Sequence, residues 1–369
     1  MKPLSLYFHV PFCRSRCGYC NFVSSTTLHR RGAYLDALLD AVRQAPLDGY
    51  EAVTLYFGGG TPTLLGAGLL RVLEAVRARM PVAEDAEITL EANPGTIDLP
   101  LLQALRRGGF NRISFGLQDC SDEMLRLLGR CHTVEEGEAA VRMAKAAGFL
   151  NISVDFMLAT PGQTPERARR NAKYALSLSV PHISSYLLKI EPGTPFDHRQ
   201  MVRECPSEDT AADCYLAFYE ELESAGYRHY EISNAALPGY ESRHNSAYWL
   251  LSDYLGIGAS AASCFEGKRF HFPDSIEEFI TSKNPWELKI NDGEGGDWEE
   301  AAMLALRLSS GLTPALCAQY QQDYTALCCK AEPLAREGLL CCDTGHIALT
   351  DRGYLLSNSV ILALLEGTF

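Results

Sequence analysis

No run of five or more basic residues occurs anywhere in the chain, and 33 Lys and Arg are outnumbered by 46 Asp and Glu, for a net charge of −13. Nucleic acid is held largely by summed positive charge against its phosphates, so it is not an expected partner. No apolar run approaches the ~18 residues of a helical membrane span; a spanning helix is not expected, and peripheral membrane contact stays open. Met1-Lys2-Pro3 leads directly into the strand-like stretch Leu4–Val10, so no secretory leader is expected. Repeats of fixed period and low-complexity tracts are also missing. What the chain has in quantity is cysteine: 13, an odd number, among 369 residues of which 47% are hydrophobic. A chain of this size buries its own core and needs no staples. The cysteines are therefore expected as thiols in a reducing cytoplasm, and clustered ones as metal ligands or reactive groups.

Six apolar, β-branched or aromatic segments read as strands: Leu4–Val10, Ala52–Phe57, Glu87–Glu91, Arg112–Gln118, Ile152–Leu158 and His182–Leu188. Stretches with helical spacing separate them, such as Tyr34, Leu35, Leu38, Leu39 and Val42. Six β–α alternations call for parallel strands with right-handed crossovers, as a doubly wound open sheet or a partial barrel of six units. In both, the C-terminal strand ends form the functional edge, and Cys13, Gly58–Gly60, Glu91, Gln118 and Asp155 fall there. After residue 190 the rhythm changes. Glu208–Ser224 reads as a helix, Tyr227–Ile232 as a strand, Ser233–Tyr254 as a polar, aromatic-rich loop and Gly293–Asp297 as a linker. Helices Trp298–Leu308 and Tyr320–Gly338, a hairpin turning at Asp343-Thr344-Gly345 and a last helix from about Asp351 to Leu365 suggest a winged-helix-like module. The expected division is a barrel core over 1–200, an extension over 201–292 and a C-terminal domain over 297–369.

Cys13, Cys17 and Cys20 form a C-x3-C-x2-C run after the first strand. Three thiolates this close can converge on one soft metal centre. A structural zinc site needs a fourth ligand, for which His9 and His29 are the nearest spares. Covalent c-type haem is excluded because Asn21 follows Cys20. Three ligands suit a [4Fe–4S] cluster that keeps one iron open to a substrate. Gly58-Gly59-Gly60-Thr61-Pro62 after the second strand offers successive backbone N–H donors without Cβ interference. It is not a nucleotide P-loop, since no Gly-Lys-Ser/Thr follows. Glu91, Gln118 and Asp155 are polar groups inside or ending apolar strands, which need partners once buried, either each other or a ligand.

The cysteine run followed by Gly-Gly-Gly-Thr-Pro resembles the radical S-adenosylmethionine (SAM) superfamily. Within it, the chain resembles the branch containing oxygen-independent coproporphyrinogen III oxidase and the HemW-type haem chaperones. The likeness extends to Tyr7–Cys13, Leu128-Gly129-Arg130, Pro161-Gly162-Gln163-Thr164, Glu191–Phe196 and Leu349-Thr350-x2-Gly353. It implies a partial (β/α)6 TIM-like barrel with extra strands and helices and a small C-terminal domain. It implies that Cys13, Cys17 and Cys20 hold three irons of a [4Fe–4S] cluster while the fourth takes the amino and carboxylate groups of SAM. Gly59, Gly60 and Thr61 would meet the amino-acid end of SAM, with Tyr7, Tyr19, Glu91, Gln118, Arg130 and Asp155 around it. In this superfamily a reduced cluster gives one electron to the sulfonium and releases a 5′-deoxyadenosyl radical.

Three features favour the HemW-type branch. The oxidase has a fourth Cys two residues after the third, where this chain has Phe22; the oxidase carries a long segment before its cysteines, where this chain has twelve residues; and the His-Asn-x-x-Tyr-Trp signature of the branch stands at His244–Trp249. The resemblance thus implies a protein that binds haem and passes it to apo-haemoproteins, respiratory ones among them, with flavodoxin or ferredoxin as reductant and a homodimer as an open option. His244 is a candidate axial haem ligand; the plain alternative is that it pins its loop through hydrogen bonds. His132 is a lesser candidate. Phe156–Pro161 departs from the family pattern next to the SAM site. Radical oxidation of coproporphyrinogen and a purely structural zinc protein are the competing readings. Cys328, Cys329, Cys341 and Cys342 form two adjacent pairs in the C-terminal module, and Cys120, Cys131, Cys205, Cys214, Cys264 and Cys317 are expected as packing.

Overall fold

The computed structural model describes residues 1–366. Six strands, β1 (Lys2–Val10), β2 (Tyr50–Gly59), β3 (Val82–Ala92), β4 (Arg112–Gln118), β5 (Asn151–Leu158) and β6 (His182–Leu187), pair in parallel in sequence order. A doubly wound sheet reverses its strand order at a switch point. Here no reversal occurs, so the partial barrel is the arrangement adopted. Helices Arg31–Gln44, Gly68–Arg79, Leu99–Gly108, Val134–Ala146 and Pro165–Ser177 supply the crossovers. Their starts follow side-chain chemistry: Asp98, Thr133 and Thr164 each accept from a first-turn N–H, and Thr133 with Glu136 forms a reciprocal box.

Alternation along the strands sorts the residues. Leu6 and Phe8, Leu55 and Phe57, Ile88 and Leu90, Ile113 and Phe115, and Val154 and Phe156 are buried in the apolar layer between sheet and helices. Each such side chain contributes about 1.5–3 kcal/mol of burial. The alternate positions face the lumen and are polar: Ser5, Tyr7 and His9; Thr54 and Tyr56; Glu87, Thr89 and Glu91; Arg112 and Ser114; Ser153 and Asp155; His182 and Ser184. A parallel sheet covered on both faces by apolar helices would show continuous apolar runs. The polar rows belong to a lumen.

The sheet continues on both flanks. β7 (Arg228–Glu231) and β8 (Asn234–Ala236) add antiparallel beyond β6. On the other side β9 (Tyr254–Ile257) runs parallel to β1, followed by antiparallel β10 (Ala262–Phe265), β11 (Lys268–His271) and β12 (Ile290–Glu294). The expected linker at Gly293–Asp297 therefore begins inside a strand. The segment Ser233–Tyr254, expected as a loop, holds β8 and the helix Arg243–Trp249.

In the C-terminal module, helices Trp298–Ala305, Pro314–Gln319 and Tyr324–Arg336 precede the hairpin β13 (Leu340–Cys342) and β14 (Ile347–Leu349). The expected last helix is two, Asp351–Leu355 and Ser357–Glu366. The end of the 297–369 module, residues 367–369, lies outside the described residues. His229 Nδ1 on β7 and Asp351 Oδ1, 2.7 Å apart, tie the module to the sheet. Among the described residues no helix is long and apolar enough to cross a membrane.

Candidate functional site

The cysteine loop leaves β1 at the C-terminal mouth of the barrel. It is held from three sides. Gly18 N–H donates to Leu128 O at 3.1 Å, Phe196 N–H donates to Gly18 O at 2.9 Å, and Cys13 N–H donates to Ser25 O at 3.0 Å. A Cβ on Gly18 would stand 2.2 Å from the Phe196 ring, so the Glu191–Phe196 motif closes directly on the loop. Arg14 and Arg16 are exposed beside the half-buried Cys13, Cys17 and Cys20. Burial pushes the Cys13 and Cys20 thiols up, while a hydrogen bond from Thr61 Oγ1 to Cys13 Sγ, at 3.6 Å, works against it. A mononuclear zinc site would need a fourth ligand beside the three cysteines. His9, its nearest proposed fourth ligand, has both ring nitrogens engaged, by Tyr7 Oη at 3.0 Å and Val23 O at 3.1 Å.

The glycine loop ending β2 lies against the cysteines. A Cβ on Gly60 would stand 2.7 Å from Phe12 O and 3.0 Å from Cys13 Sγ. Gly59 has φ +111, a region that side chains disfavour, and a Cβ there would meet the His9 ring at 2.8 Å. Close approach of two loops is the reason for these glycines. Glu91, at the end of β3, fixes the loop by accepting from Gly59 N–H at 3.1 Å and from Tyr56 Oη at 2.7 Å. Loss of water pushes its carboxyl up to about 7, with those two donors pulling the other way and Asp155 adding to the rise.

Arg130 crosses the mouth. One terminal nitrogen donates to Cys17 Sγ at 3.5 Å; the other donates to Gly116 O at 2.6 Å and to Asn93 Oδ1. Asn93 in turn donates to Thr61 Oγ1 at 2.9 Å, so one side chain joins the cluster loop, the glycine loop and β4. Tyr19 packs edge-on to Phe196, its hydroxyl pushed up by burial and held back by Arg130. Asp155 accepts from Ser114 Oγ at 2.9 Å and Ser153 Oγ at 3.5 Å, and burial pushes its carboxyl up. Gln118 sits at φ +72, outside the usual range for a residue with a side chain, where the β4–β5 register shifts.

Two observations make the mouth fit a bound SAM and cluster. Gln118 Oε1 and Arg130 Nε are buried without a hydrogen-bond partner, and such atoms call for a partner. Tyr7, Glu91, Gln118, Arg130 and Asp155 all retain some accessible surface in the lumen. A carboxylate pair, a guanidinium and phenol rings answer a sulfonium, a zwitterion, a ribose diol and a flat base in kind. The structure joins the cysteine loop, the glycine loop, Glu91 and Arg130 by close approach and hydrogen bonds, and places Gln118 and Asp155 on the neighbouring strands β4 and β5.

It does not bring His244 to that mouth. His244 lies on the helix Arg243–Trp249, buried, its Nδ1 2.7 Å from Thr54 Oγ1 and its Nε2 2.8 Å from Tyr248 Oη. Both nitrogens are taken, so the ring is not presented to haem in this conformation, and the pinning role describes what is seen. Burial pushes its imidazole down to about 3, keeping it neutral. The helix caps the opposite, N-terminal end of the barrel. There Glu87 accepts from Arg243 N–H and His244 N–H, each at 3.0 Å, and from Ser242 Oγ at 3.5 Å. Glu87, Arg112 and His182, all buried lumen residues, are not among the expected site residues. The sequence signal was the polar residue at every second strand position. His132 is buried beside the mouth with Nε2 unpartnered, pushed down to about 4 by burial and by Arg130.

All 13 cysteines are free. Cys214, Cys264 and Cys317 are buried as expected, whereas Cys131 is exposed, its Sγ 2.9 Å from Ser15 Oγ on the cluster loop. Cys341 is exposed and its Sγ lies 3.7 Å from His346 Nε2.

Residues 7–175 match the Radical SAM superfamily and residues 297–356 the HemN C-terminal domain. The chain is 35% identical over 374 residues to the heme chaperone HemW of Lactococcus lactis subsp. lactis (strain IL1403), covering 97% of this chain and 96% of that one. It is 41% identical over 266 residues to the heme chaperone HemW of Escherichia coli (strain K12), covering 71% and 70%. A solved structure, the radical SAM enzyme coproporphyrinogen III oxidase (HemN) from Escherichia coli, superposes with a TM-score of 0.82 at 26% identity, over 98% of this chain and 90% of that one. With relatives of this identity over nearly its whole length, the chain belongs to the HemW family within the radical SAM superfamily.

Proposed function

We propose that the protein is a haem chaperone that carries a [4Fe–4S] cluster and SAM at the barrel mouth, binds haem, and delivers it to apo-haemoproteins. The observation that carries the reading is the end-to-end likeness to relatives described as heme chaperones, over 97% of this chain. Cys13, Cys17 and Cys20 supply the cluster's thiolates. Gly59 and Gly60 admit the amino-acid end of SAM against the cysteine loop, and Glu91 holds their backbone. Arg130 offsets the charge of Cys17 and offers its free Nε, Gln118 offers its free Oε1, and Tyr7, Tyr19 and Asp155 complete the wall. When bound, such a cluster supplies single-electron chemistry to a sulfonium.

The reductant is a small acidic electron carrier of the flavodoxin or ferredoxin kind, which the exposed Arg14 and Arg16 on the cluster loop would attract. The setting is a reducing cytoplasm, in keeping with 13 free thiols. The test is anaerobic: protein reconstituted with iron and sulfide is loaded with haem, then mixed with an apo-haemoprotein. Transfer of the haem spectrum to the acceptor supports the chaperone. A second reading, oxidation of coproporphyrinogen, is favoured by the TM-score of 0.82 to HemN. Against it, the fourth cysteine expected of the oxidase is replaced by Phe22, which is 64% exposed. Conversion of coproporphyrinogen to protoporphyrinogen by the reduced, SAM-loaded protein would sink the chaperone reading.

A further inference from the structure

The helix Arg243–Trp249 takes no part in the chemistry above, yet side chains of the barrel anchor it at several points. Glu87 grips its first N–H groups, and Ser242 N–H also donates to Tyr230 Oη at 3.1 Å. Tyr230 is braced in turn by His182 Nε2 at 2.8 Å. The His244 ring, fixed at both nitrogens, lies in face contact with Tyr56 (centroids 4.9 Å apart, planes at 23°) and beside Tyr7 (6.4 Å, 29°). The two tyrosines stack on each other at 6.1 Å.

From these two rings, two hydrogen-bond chains climb to the mouth. Tyr56 Oη donates to Glu91 Oε1, and Glu91 Oε2 receives Gly59 N–H. Tyr7 Oη reaches His9 Nδ1, and His9 Nε2 reaches Val23 O. A carbonyl only accepts, so Nε2 carries the proton of the neutral ring and Tyr7 donates to Nδ1. Val23 lies three residues beyond Cys20. The chains therefore end on the glycine loop and on the segment that closes the cysteine loop. The two chains meet where Gly59 faces the His9 ring.

We propose that His244 is a positioning residue for the SAM site: seated in the barrel floor, it braces Tyr56 and Tyr7, which hold the Gly59 loop and the Cys20–Val23 segment in binding geometry. Drawing the floor helix away releases both chains. Any ligand that takes His244 out of the floor, haem included, then weakens SAM binding, and by linkage SAM weakens that ligand to the same degree. The inference rests on the reading of the mouth as a SAM site.

The experiment is a SAM titration of cluster-loaded protein, read by equilibrium dialysis and by the SAM-induced change in the electron paramagnetic resonance spectrum of the reduced cluster. Tyr56→Phe keeps the ring stack and loses the hydroxyl; it should retain the SAM-free cluster spectrum and bind SAM about tenfold more weakly. His244→Ala, which unbraces both chains, should weaken SAM at least as much, and the double variant no more than His244→Ala alone, because the Tyr56 chain is then broken twice. His244→Gln, which can still bridge Thr54 and Tyr248, should recover part of the loss. Val76→Ala truncates the outer apolar layer, where Val76 is fully buried, and loosens the fold without touching either chain; SAM affinity should stay within about twofold. Wild-type SAM affinity in Tyr56→Phe, additive losses in the double variant, or an equal loss in Val76→Ala would overturn the proposal. A cluster-loaded wild type that does not bind SAM would overturn the reading of the mouth itself, an outcome distinct from binding that the variants leave unchanged.

Discussion

At the mouth of the barrel, Tyr7, Glu91, Gln118, Arg130 and Asp155 keep part of their surface accessible, and Gln118 Oε1 and Arg130 Nε lack partners. At the floor, Glu87, Arg112, His182 and His244 are buried, and both histidines have each ring nitrogen engaged. The same six strands thus carry one end whose unused hydrogen-bonding capacity faces an accessible mouth and one end where most polar groups are paired, with Thr89 Oγ1, Arg112 Nε and Asn151 Oδ1 left over. Unused capacity is what a ligand can take up; consumed capacity holds the scaffold in register. Binding and stability are separable along one axis, and variants at the two ends should fail in different assays.

The largest expected effect is all-or-none and confined to the mouth. Cys17→Ala should drop iron after anaerobic reconstitution from about four per chain to near none, while the apo protein's thermal midpoint hardly moves. Retention of a full cluster would break the assignment. Next is the floor: Glu87→Ala strands three donors and removes the largest opposing charge from the buried Arg112. Urea denaturation should show a loss of about 3–5 kcal/mol; a loss under about 1 kcal/mol would show that the floor is not a stabilising network.

Acid and base should then separate the two ends. His244 is held down to about 3, so the unfolded chain takes up its proton first and the floor's contribution is lost as pH falls below about 6.5. Glu91 is held up at about 7 against an ordinary 4.5, so the folded protein binds the extra proton and its contribution is lost as pH rises from 4.5 through about 7. Relative to wild type, Glu91→Gln should gain about 3 kcal/mol of apo stability over that window, measured by denaturation at pH 5 and 7.5. A parallel pair of curves would contradict the raised carboxyl. The smallest effect is Arg130→Lys, which keeps the charge and loses the fork across Cys17, Gly116 and Asn93. SAM should bind about tenfold more weakly with cluster content unchanged, as equilibrium dialysis would show.

The mouth was far more legible in the sequence than the floor. Cys13, Cys17 and Cys20 announce themselves by spacing, and Glu91, Gln118 and Asp155 by polarity at the ends of apolar strands. Strand β4 was placed to the residue, since Arg112–Gln118 is bounded by Asn111 and Asp119. The floor was hidden for two reasons. Ser242–Trp249 has weak helix formers and reads as loop; its helix exists because Ser242 and Glu87 satisfy its first N–H groups, and Glu87 is a tertiary partner invisible from local propensity. The strands also look apolar as segments, and only the alternation within them, Ser5, Tyr7 and His9 between Leu4, Leu6, Phe8 and Val10, marks a polar lumen.

The hydrogen bond from His244 N–H to Glu87 joins residues 157 apart in the chain. At a synthesis rate of roughly 5–20 residues per second, Glu87 leaves the ribosome's catalytic centre about 8–30 s before the residue that will cover it. All six lumen strands and all three cluster cysteines have been made by then, so a nascent barrel stands open from below until the floor helix arrives. Chains arrested before Ser242 should exchange the amide hydrogens of β2 and β3 faster than finished ones. Translation speed between β3 and that helix would then set how long the unfinished protein stays unsealed.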